Sequence, residues 1–205
     1  MEPFYNQYKD TLEELNKCAK SFGVRVWGNL FYKHNIPPRM DILNLPKRMD
    51  FCDFAFNNDC IVEIGFNAGH SALLGLTANQ DLIYRSVDFG QPYSEACYHV
   101  LKKRFGDRIS LTIGDSLDVI PRIKEIYPEI DTMKTGWFID GDHSYQHCKQ
   151  DLDNVLKLAK DDELIYLDDT DFPQIEKLIV EYQSNNIIKI VKKSPRNTIV
   201  TRSTL

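Results

Sequence analysis

The sequence predicts an α/β fold in which a doubly wound, mostly parallel, seven-stranded sheet of the Rossmann-like type ends in an antiparallel hairpin. Two observations support this prediction. From residue 61 onward, short apolar runs alternate with amphipathic segments, which is typical of a parallel sheet covered by helices on both faces. The last two apolar runs are separated only by residues 194–197, too few for a helical crossover, so these two strands form a hairpin.

The predicted strands are the seven apolar runs, at residues 61–64, 82–87, 109–113, 136–140, 163–167, 187–192 and 198–202. Two of the intervening helices are marked by apolar stripes at helical spacing, Cys148, Leu152, Val155, Leu156 and Ala159 in one and Ile175, Leu178, Ile179 and Tyr182 in the other. Ser94 and Ser116 stand where helix N-caps are expected, and Pro173 stands in the expected first turn of its helix.

Residues 1–60 differ from the rest of the chain. A helical pattern at residues 11–20 is followed by loops rich in aromatic residues and prolines. We interpret this segment as a helical and loop appendage to one domain formed by residues 61–205. Six aromatic side chains could line a substrate lid, and covering the sheet or a partner subunit explains them equally well: Phe4, Tyr5, Tyr8, Trp27, Phe31 and Tyr32.

The composition is that of an ordinary folded protein. Of 205 residues, 42% are hydrophobic and 27% are charged, so neither disorder nor a fibrous repeat is indicated. The net charge of −5 argues against nucleic acid as a partner and favours a small-molecule substrate. We interpret the basic residues near the C-terminus as a solvated edge: Lys189, Lys192, Lys193, Arg196 and Arg202.

Cysteine usage and hydropathy indicate the compartment. The cysteines are odd in number and lack a C-x-x-C pair, so neither a disulfide framework nor a zinc site is expected: Cys18, Cys52, Cys60, Cys97 and Cys148. No apolar run is long enough to span a membrane, and the N-terminus lacks the pattern of a signal peptide. We therefore expect a cytoplasmic protein that does not bind membranes, with homo-oligomerisation left open.

A glycine-containing turn follows the first predicted strand. Residues 61–71 run from that strand through Gly65 and Gly69 directly into a helix, the arrangement of a ligand-binding turn at the carboxyl edge of a sheet. Glycine lets the backbone approach a ligand, and free N–H groups at the helix start favour an anionic group such as a carboxylate. Glu63 could accept a hydrogen bond from an ammonium group or order the loop.

Acidic residues at the next two strand ends extend this candidate site. Asp88 ends the second strand, where a carboxylate can bind both hydroxyls of a ribose. Asp115 and Ser116 follow the third strand, where Asp115 could meet an adenine amino group. The turn lacks the third glycine of G-x-G-x-x-G, which weakens the interpretation as a nicotinamide site.

With Ser71, residues 63–71 have the form E-x-G-x-x-x-G-x-S. With this motif, residues 61–169 resemble the metal-dependent O-methyltransferases, a group that includes catechol-type enzymes and macrocin-type sugar enzymes. The resemblance implies the class I methyltransferase fold with S-adenosylmethionine as cofactor. It implies cofactor contacts from Glu63, Gly65, Gly69, Ser71, Asp88, Asp115, Ser116 and Asp140.

Three further carboxylates point to a cation. Asp140 ends the fourth predicted strand, and Asp168 and Asp169 end the fifth, so adjacent parallel strands would bring them together. Their repulsion is costly unless a cation neutralises it, and oxygen ligands favour Mg²⁺ first, with Ca²⁺ or Mn²⁺ as alternatives. In the resembling family, residues at these positions hold the metal. Capping and turn formation are the alternative roles of such aspartates.

His143 and Asp142 are the candidate general bases, because they match the base positions of different macrocin-type relatives. Histidine is favoured because its ordinary pKa suits proton transfer near neutral pH. The alternative is that His143 only caps the following helix or binds a loop carbonyl.

We therefore predict an S-adenosylmethionine-dependent O-methyltransferase acting on a hydroxyl of a sugar, glycoside or other vicinal diol, with divalent-metal assistance and a catechol as the nearest variant acceptor. Two alternatives stay open. A NAD-dependent oxidoreductase would use Gly65, Gly69 and Asp88 equally well, and an inactive cofactor-binding scaffold would keep the fold without turnover.

Overall fold

The computed structural model describes residues 4–24, residue 26 and residues 44–203. Seven strands form one sheet in this part of the chain: β1 (Cys60–Ile64), β2 (Ile83–Asp88), β3 (Ile109–Ile113), β4 (Thr135–Ile139), β5 (Leu164–Asp168), β6 (Ile188–Lys193) and β7 (Asn197–Arg202). The spatial order is β3-β2-β1-β4-β5-β7-β6, with β7 antiparallel to both β5 and β6 and the other neighbours parallel. The predicted fold class is confirmed, with every strand boundary within one residue.

Helices connect the strands. They are α1 (Tyr5–Ser21), α2 (Leu45–Phe56), α3 (His70–Ala78), α4 (Ser94–Phe105), α5 (Ser116–Val119), α6 (Ile123–Ile126), α7 (Tyr145–Leu158) and α8 (Pro173–Ser184). Short 3₁₀ segments lie at Gly106–Arg108, Ile120–Arg122 and Pro128–Asp131. Among the described residues, no helix has the length and apolar composition needed to cross a membrane.

The sheet separates two hydrophobic cores because successive strand side chains point to opposite faces. On β4, Trp137 belongs to the core shared with α7 and α8, and Phe138 belongs to the core shared with the helices α1 to α4. In the second of these cores, the rings of Phe51, Phe138 and Tyr166 lie with centroids 4.9 to 5.7 Å apart. Helices on both faces make the fold doubly wound, as the alternation of patterns predicted.

Two of the three predicted helix starts are wrong. Tyr93 precedes α4, and Ser94 is its first residue, with a hydroxyl that donates to the Asn67 carbonyl instead of capping. Asp115, not Ser116, caps α5, because its Oδ1 accepts a hydrogen bond from the Leu117 N–H at 2.9 Å. Pro173 is the first residue of α8, as predicted.

The described part of residues 1–60 is helical and packs against the helices of one face. Helix α1 contacts α3 and α4 through buried side chains, and α2 contacts α3. Tyr8 is fully buried in this core, so it does not line a lid. Tyr5 is exposed, and Trp27, Phe31 and Tyr32 lie outside the described residues.

Candidate functional site

Gly65, in the turn after β1, packs directly against the backbone at the end of β4. Its φ of +100° is unfavourable for other residues, and a Cβ at this position would lie 2.1 Å from the carbonyl oxygen of Asp140. The Asp140 N–H also donates to the Ile64 carbonyl at 2.9 Å. Only glycine permits this approach, and the predicted cofactor turn therefore lies directly against the first predicted metal ligand.

The second glycine of the turn serves packing. Gly69 precedes α3 with a φ of +76°, and a Cβ there would lie 2.6 Å from the Phe66 ring and 2.7 Å from Leu101. Ser71 is buried in the first turn of α3. The helix therefore starts close against the turn, with its first N–H groups at the carboxyl edge of the sheet.

Asp88 organises the loops around the turn. Its Oδ2 accepts from the Asn67 N–H at 2.7 Å, and its Oδ1 accepts from the Gly90 N–H at 2.7 Å and the Gln91 N–H at 3.2 Å. The residue is only 6% exposed. Both carboxylate oxygens are thus held by protein donors, so Asp88 ties the β1 turn to the loop after β2.

Glu63 points into the protein interior. The side chain is fully buried, and its Oε2 accepts a hydrogen bond from the Ser86 hydroxyl at 2.6 Å. Burial raises the pKa of Glu63 to about 8, although interactions with Ser86 and Tyr84 oppose the rise. Glu63 therefore braces β1 against β2 as a carboxyl group that is largely protonated at neutral pH.

At the end of β3, Asp115 and Ser116 face different surroundings. The Asp115 side chain is 38% exposed, whereas the Ser116 hydroxyl is buried and donates to Asp151 Oδ1 at 2.7 Å. Phe89 directly follows β2, and Ile113 is the last residue of β3. Both are exposed apolar residues that were not predicted as site residues. They provide an apolar surface at the same sheet edge as Asp115.

The carboxylates at the ends of β4 and β5 come together as predicted, and His143 lies among them. His143 Nε2 is 3.9 Å from Asp140 Oδ1 and 3.3 Å from Asp169 Oδ2. Asp140, His143 and Asp169 offer ligand atoms that all lie within 4.8 Å of one another. Asp168 is not part of that group.

Two basic side chains contact the carboxylates of β5. Lys47 Nζ, on α2, lies 2.7 Å from Asp168 Oδ1 and 3.1 Å from Asp169 Oδ1. Arg196 Nη2 lies 2.6 Å from Asp169 Oδ1. The interpretation of Arg196 as part of a solvated edge is therefore wrong, because β7 starts beside the end of β5, with Asn197 opposite Asp168.

Lys47 was not predicted as a site residue, and no sequence motif marks it. Arg196 could have been found, because an antiparallel strand next to β5 must begin at the carboxyl end of β5. Lys47, by contrast, reaches the site from a helix that precedes β1, and its position depends on how α2 packs on the sheet.

Burial and charge shift the pKa values of the acidic cluster in opposite directions. Burial raises the pKa of Asp140 well above its usual range, and repulsion from Asp168 adds to the rise. Burial also raises the pKa of Asp168, although Lys47 opposes the rise. For Asp169, the effect of burial is outweighed by His143, Lys47 and Arg196, and the pKa falls below its usual range.

The two basic groups that contact Asp169 from α2 and from the loop after β4 have raised pKa values. Burial lowers the pKa of Lys47, but attraction from Asp168 and Asp169 exceeds that effect, so the net shift is upward. The contact with Asp169 raises the pKa of His143. Lys47 is therefore an ammonium ion in a site where it is only 7% exposed.

The two candidate bases differ in position. Asp142 Oδ1 accepts from the Ser144 N–H at 2.6 Å, and interactions with the Ser144 side chain and this N–H lower the pKa of Asp142, which makes it a weak proton acceptor. The His143 ring faces the carboxylates and lies 5.1 Å from the Phe172 ring. Ser144 is the residue that caps α7, so the alternative role of His143 as a helix cap is wrong.

The predicted set of three aspartates fits a divalent cation poorly as arranged here. Mg²⁺–oxygen bonds are about 2.1 Å long, so an ion on Asp168 Oδ1 would lie within about 5 Å of the Lys47 ammonium. Arg196 also holds Asp169. The spacing of Asp140, His143 and Asp169 suits a cation better, but such an ion would occupy the histidine that is the favoured base.

Comparisons with known proteins agree with this architecture. Residues 62–170, more than half of the chain, match the protein family described as "Methyltransferase domain". Among curated proteins, no match to the sequence was found.

Three solved structures share the fold. The O-methyltransferase TomG from Streptomyces achromogenes, solved with S-adenosylmethionine, has 12% identity and a TM-score of 0.65 over 95% of this chain and 90% of its own. The O-methyltransferase from Bacillus cereus, solved with S-adenosylhomocysteine, has 14% identity and a TM-score of 0.66 over 94% and 90%. MycE, solved with Mg, S-adenosylhomocysteine and mycinamycin VI, has 15% identity and a TM-score of 0.56 over 92% and 54%.

Proposed function

This chain belongs to the methyltransferase domain family, and from that premise we propose that it is an S-adenosylmethionine-dependent O-methyltransferase acting on a hydroxyl of a small molecule. The observation that carries the proposal is the contact of Gly65 with the backbone of Asp140, which puts the glycine turn and the carboxylate cluster in one site. A methyl donor on the turn and an acceptor on the cluster would then be neighbours.

We propose that S-adenosylmethionine binds along the carboxyl ends of β1, β2 and β3. The free N–H groups at the start of α3 suit the carboxylate of its amino-acid part. Asp115 is accessible for the adenine end, where Phe89 and Ile113 offer apolar surface. Glu63 and Asp88 contribute by holding the strands and loops, since Glu63 Oε2 and both oxygens of Asp88 already bind protein donors.

The acceptor would lie at His143 and Asp140. A neutral His143 would take the hydroxyl proton at Nε2, and the hydroxyl oxygen would bond to the methyl carbon that S-adenosylmethionine supplies, with the electron pair of the broken S–C bond left on sulfur. The products are the methyl ether and neutral S-adenosylhomocysteine. The acceptor we propose is a sugar, glycoside or other vicinal diol, with a catechol as the nearest variant, because hydroxyl groups can donate hydrogen bonds to the carboxylates of the cluster.

A metal-assisted form of this reaction is a second candidate. It is favoured by the spacing of Asp140, His143 and Asp169 and by the Mg reported with MycE. When bound there, Mg²⁺ would supply Lewis-acid stabilisation of an acceptor oxygen. This candidate requires that chelation abolish transfer.

The charge and the cysteines of the chain bear on its location and its partners. We propose a cytoplasmic enzyme without a nucleic-acid or membrane partner, supported by the net charge of −5 and by an odd number of cysteines without a C-x-x-C pair. Association into homo-oligomers is compatible with this proposal.

Calorimetry and a transfer assay test the proposal together. We expect S-adenosylhomocysteine to bind and NAD not to bind, which separates a methyltransferase from the oxidoreductase alternative. A labelled methyl donor offered with sugars, glycosides and catechols should then label a hydroxyl acceptor. Binding without transfer to any hydroxyl acceptor would favour the inactive scaffold, and binding of NAD alone would contradict the proposal.

A further inference from the structure

We propose that Lys47 is the resident cation of the acceptor site: its ammonium takes the place of a divalent ion between Asp168 and Asp169, so that this enzyme transfers methyl groups without a metal. The name acceptor site rests on the proposed function. The central measurement is metal binding, which does not depend on turnover.

The first support is the contact geometry. Lys47 Nζ lies at hydrogen-bond distance from both Asp168 Oδ1, at 2.7 Å, and Asp169 Oδ1, at 3.1 Å. The Lys47 side chain is 8% exposed and that of Asp168 is 3% exposed. A cation that bridges the buried carboxylate of Asp168 and the half-buried carboxylate of Asp169 performs the charge neutralisation for which the sequence pattern implied a metal.

The second support is the anchoring of α2, which carries Lys47 as its third residue. One turn further along this helix, the carboxylate of Asp50 binds Lys192 Nζ at 2.5 Å, the Ser194 hydroxyl at 2.6 Å and Asn197 Nδ2 at 3.3 Å. These partners belong to the β6–β7 hairpin, whose turn lies beside the end of β5. The backbone of Lys47 is therefore held beside the site by a helix that is tied to the same edge of the sheet.

The third support is charge. Lys47 contacts Asp168 and Asp169, and Arg196 contacts Asp169, so the charges of these two aspartates are already compensated. A divalent ion sharing an oxygen with Lys47 would have to approach an ammonium that is itself buried beside Asp168. In a buried site that repulsion is only weakly screened.

Lys47 acts through the carboxylates and is a positioning residue. With Asp168 and Asp169 neutralised, an acceptor hydroxyl between Asp140 and His143 can lose its proton without facing three uncompensated carboxylates. The alkoxide that forms would gain from the nearby fixed positive charge, which needs no reorganisation during the reaction.

The test measures Mn²⁺ binding to the full-length chain in the presence of S-adenosylhomocysteine, by the loss of the free-ion signal in electron paramagnetic resonance. We compare the wild type with Lys47→Met, Lys47→Arg and Lys149→Met. Lys149 is the matched control because it also pairs with an aspartate, Asp153, on α7 and outside the site.

We expect Lys47→Met to bind Mn²⁺ at least about tenfold more tightly than the wild type, because the competing ammonium is gone and the carboxylates remain. Lys47→Arg keeps the charge and should bind as weakly as the wild type, as should Lys149→Met. In the transfer assay, chelation should leave the wild-type rate unchanged, and Lys47→Met should lose activity that added Mn²⁺ restores in part.

Wild-type protein that binds Mn²⁺ as tightly as Lys47→Met would overturn the proposal, as would loss of wild-type transfer on chelation. If Lys47→Met does not fold, tight Mn²⁺ binding by the wild type still refutes the proposal, and weak binding by both the wild type and Lys47→Arg supports it. Failure of the proposed function is recognised separately, by the absence of S-adenosylhomocysteine binding.

Discussion

Replacement of Glu63 by glutamine should change how the stability of this protein depends on pH. The carboxyl group is fully buried between β1 and β2 and accepts a hydrogen bond from Ser86 at 2.6 Å. Glutamine has nearly the same shape, and its carbonyl oxygen can accept the same hydrogen bond, but it cannot ionise. The substitution therefore removes the titration of the buried group with little change in packing.

The magnitude follows from the pKa of about 8 in the folded protein, against an ordinary value of 4.5. Between these values, the folded chain holds one proton that the unfolded chain has released. Stability must therefore fall as pH rises, by about 1.4 kcal/mol per pH unit. From about pH 5.5 to about pH 7.5 the wild type should lose about 2.5 kcal/mol through this group alone, and Glu63→Gln should lose none of it.

Urea unfolding at these two pH values measures the difference. The difference between the free energies of unfolding of the wild type and of Glu63→Gln should be about 2.5 kcal/mol larger at the higher pH than at the lower pH, with Glu63→Gln the more stable. Glu95→Gln is the matched control, because Glu95 is exposed on α4. Equal pH dependence in the wild type and Glu63→Gln would refute the conclusion that the buried carboxyl holds its proton.

Three further substitutions test the cofactor turn and the base. Gly65→Ala should weaken S-adenosylhomocysteine binding at least about tenfold, a loss of about 1.4 kcal/mol, because its Cβ would collide with Asp140. Calorimetry measures this affinity, and the control is Gly106→Ala, at a positive φ with open space around it. Asp88→Ala should cost about 1–3 kcal/mol of stability, because it leaves loop N–H groups unpaired. It should also weaken S-adenosylhomocysteine binding, and unchanged affinity would remove Asp88 from the cofactor site. His143→Ala should lower kcat by about 10²-fold or more while cofactor affinity stays constant, and an undiminished rate would assign the base role elsewhere.

The sequence by itself determined the sheet and the position of the site along the chain. Apolar runs are local patterns, and their alternation with helical stripes predicted all seven strands to within one residue. The short connection at residues 194–197 predicted the antiparallel hairpin for the same reason. Because the carboxyl ends of parallel strands share one edge, it also followed that Asp140, Asp168 and Asp169 would gather there.

Only the tertiary structure decided what each polar group in that site contacts. The direction of Glu63 into the interior follows from its place in the pleat and from the packing of β2. The choice of Asp115 over Ser116 as a helix cap depends on backbone angles at one turn.

Lys47 is the clearest case, since it meets Asp168 and Asp169 from more than a hundred residues away in the chain. Its contact arises from the packing of α2 against the sheet and from the hydrogen bonds of Asp50 to the hairpin. An ion pair between distant segments leaves no spacing pattern in the sequence, because the residues are brought together by many apolar contacts that do not involve them.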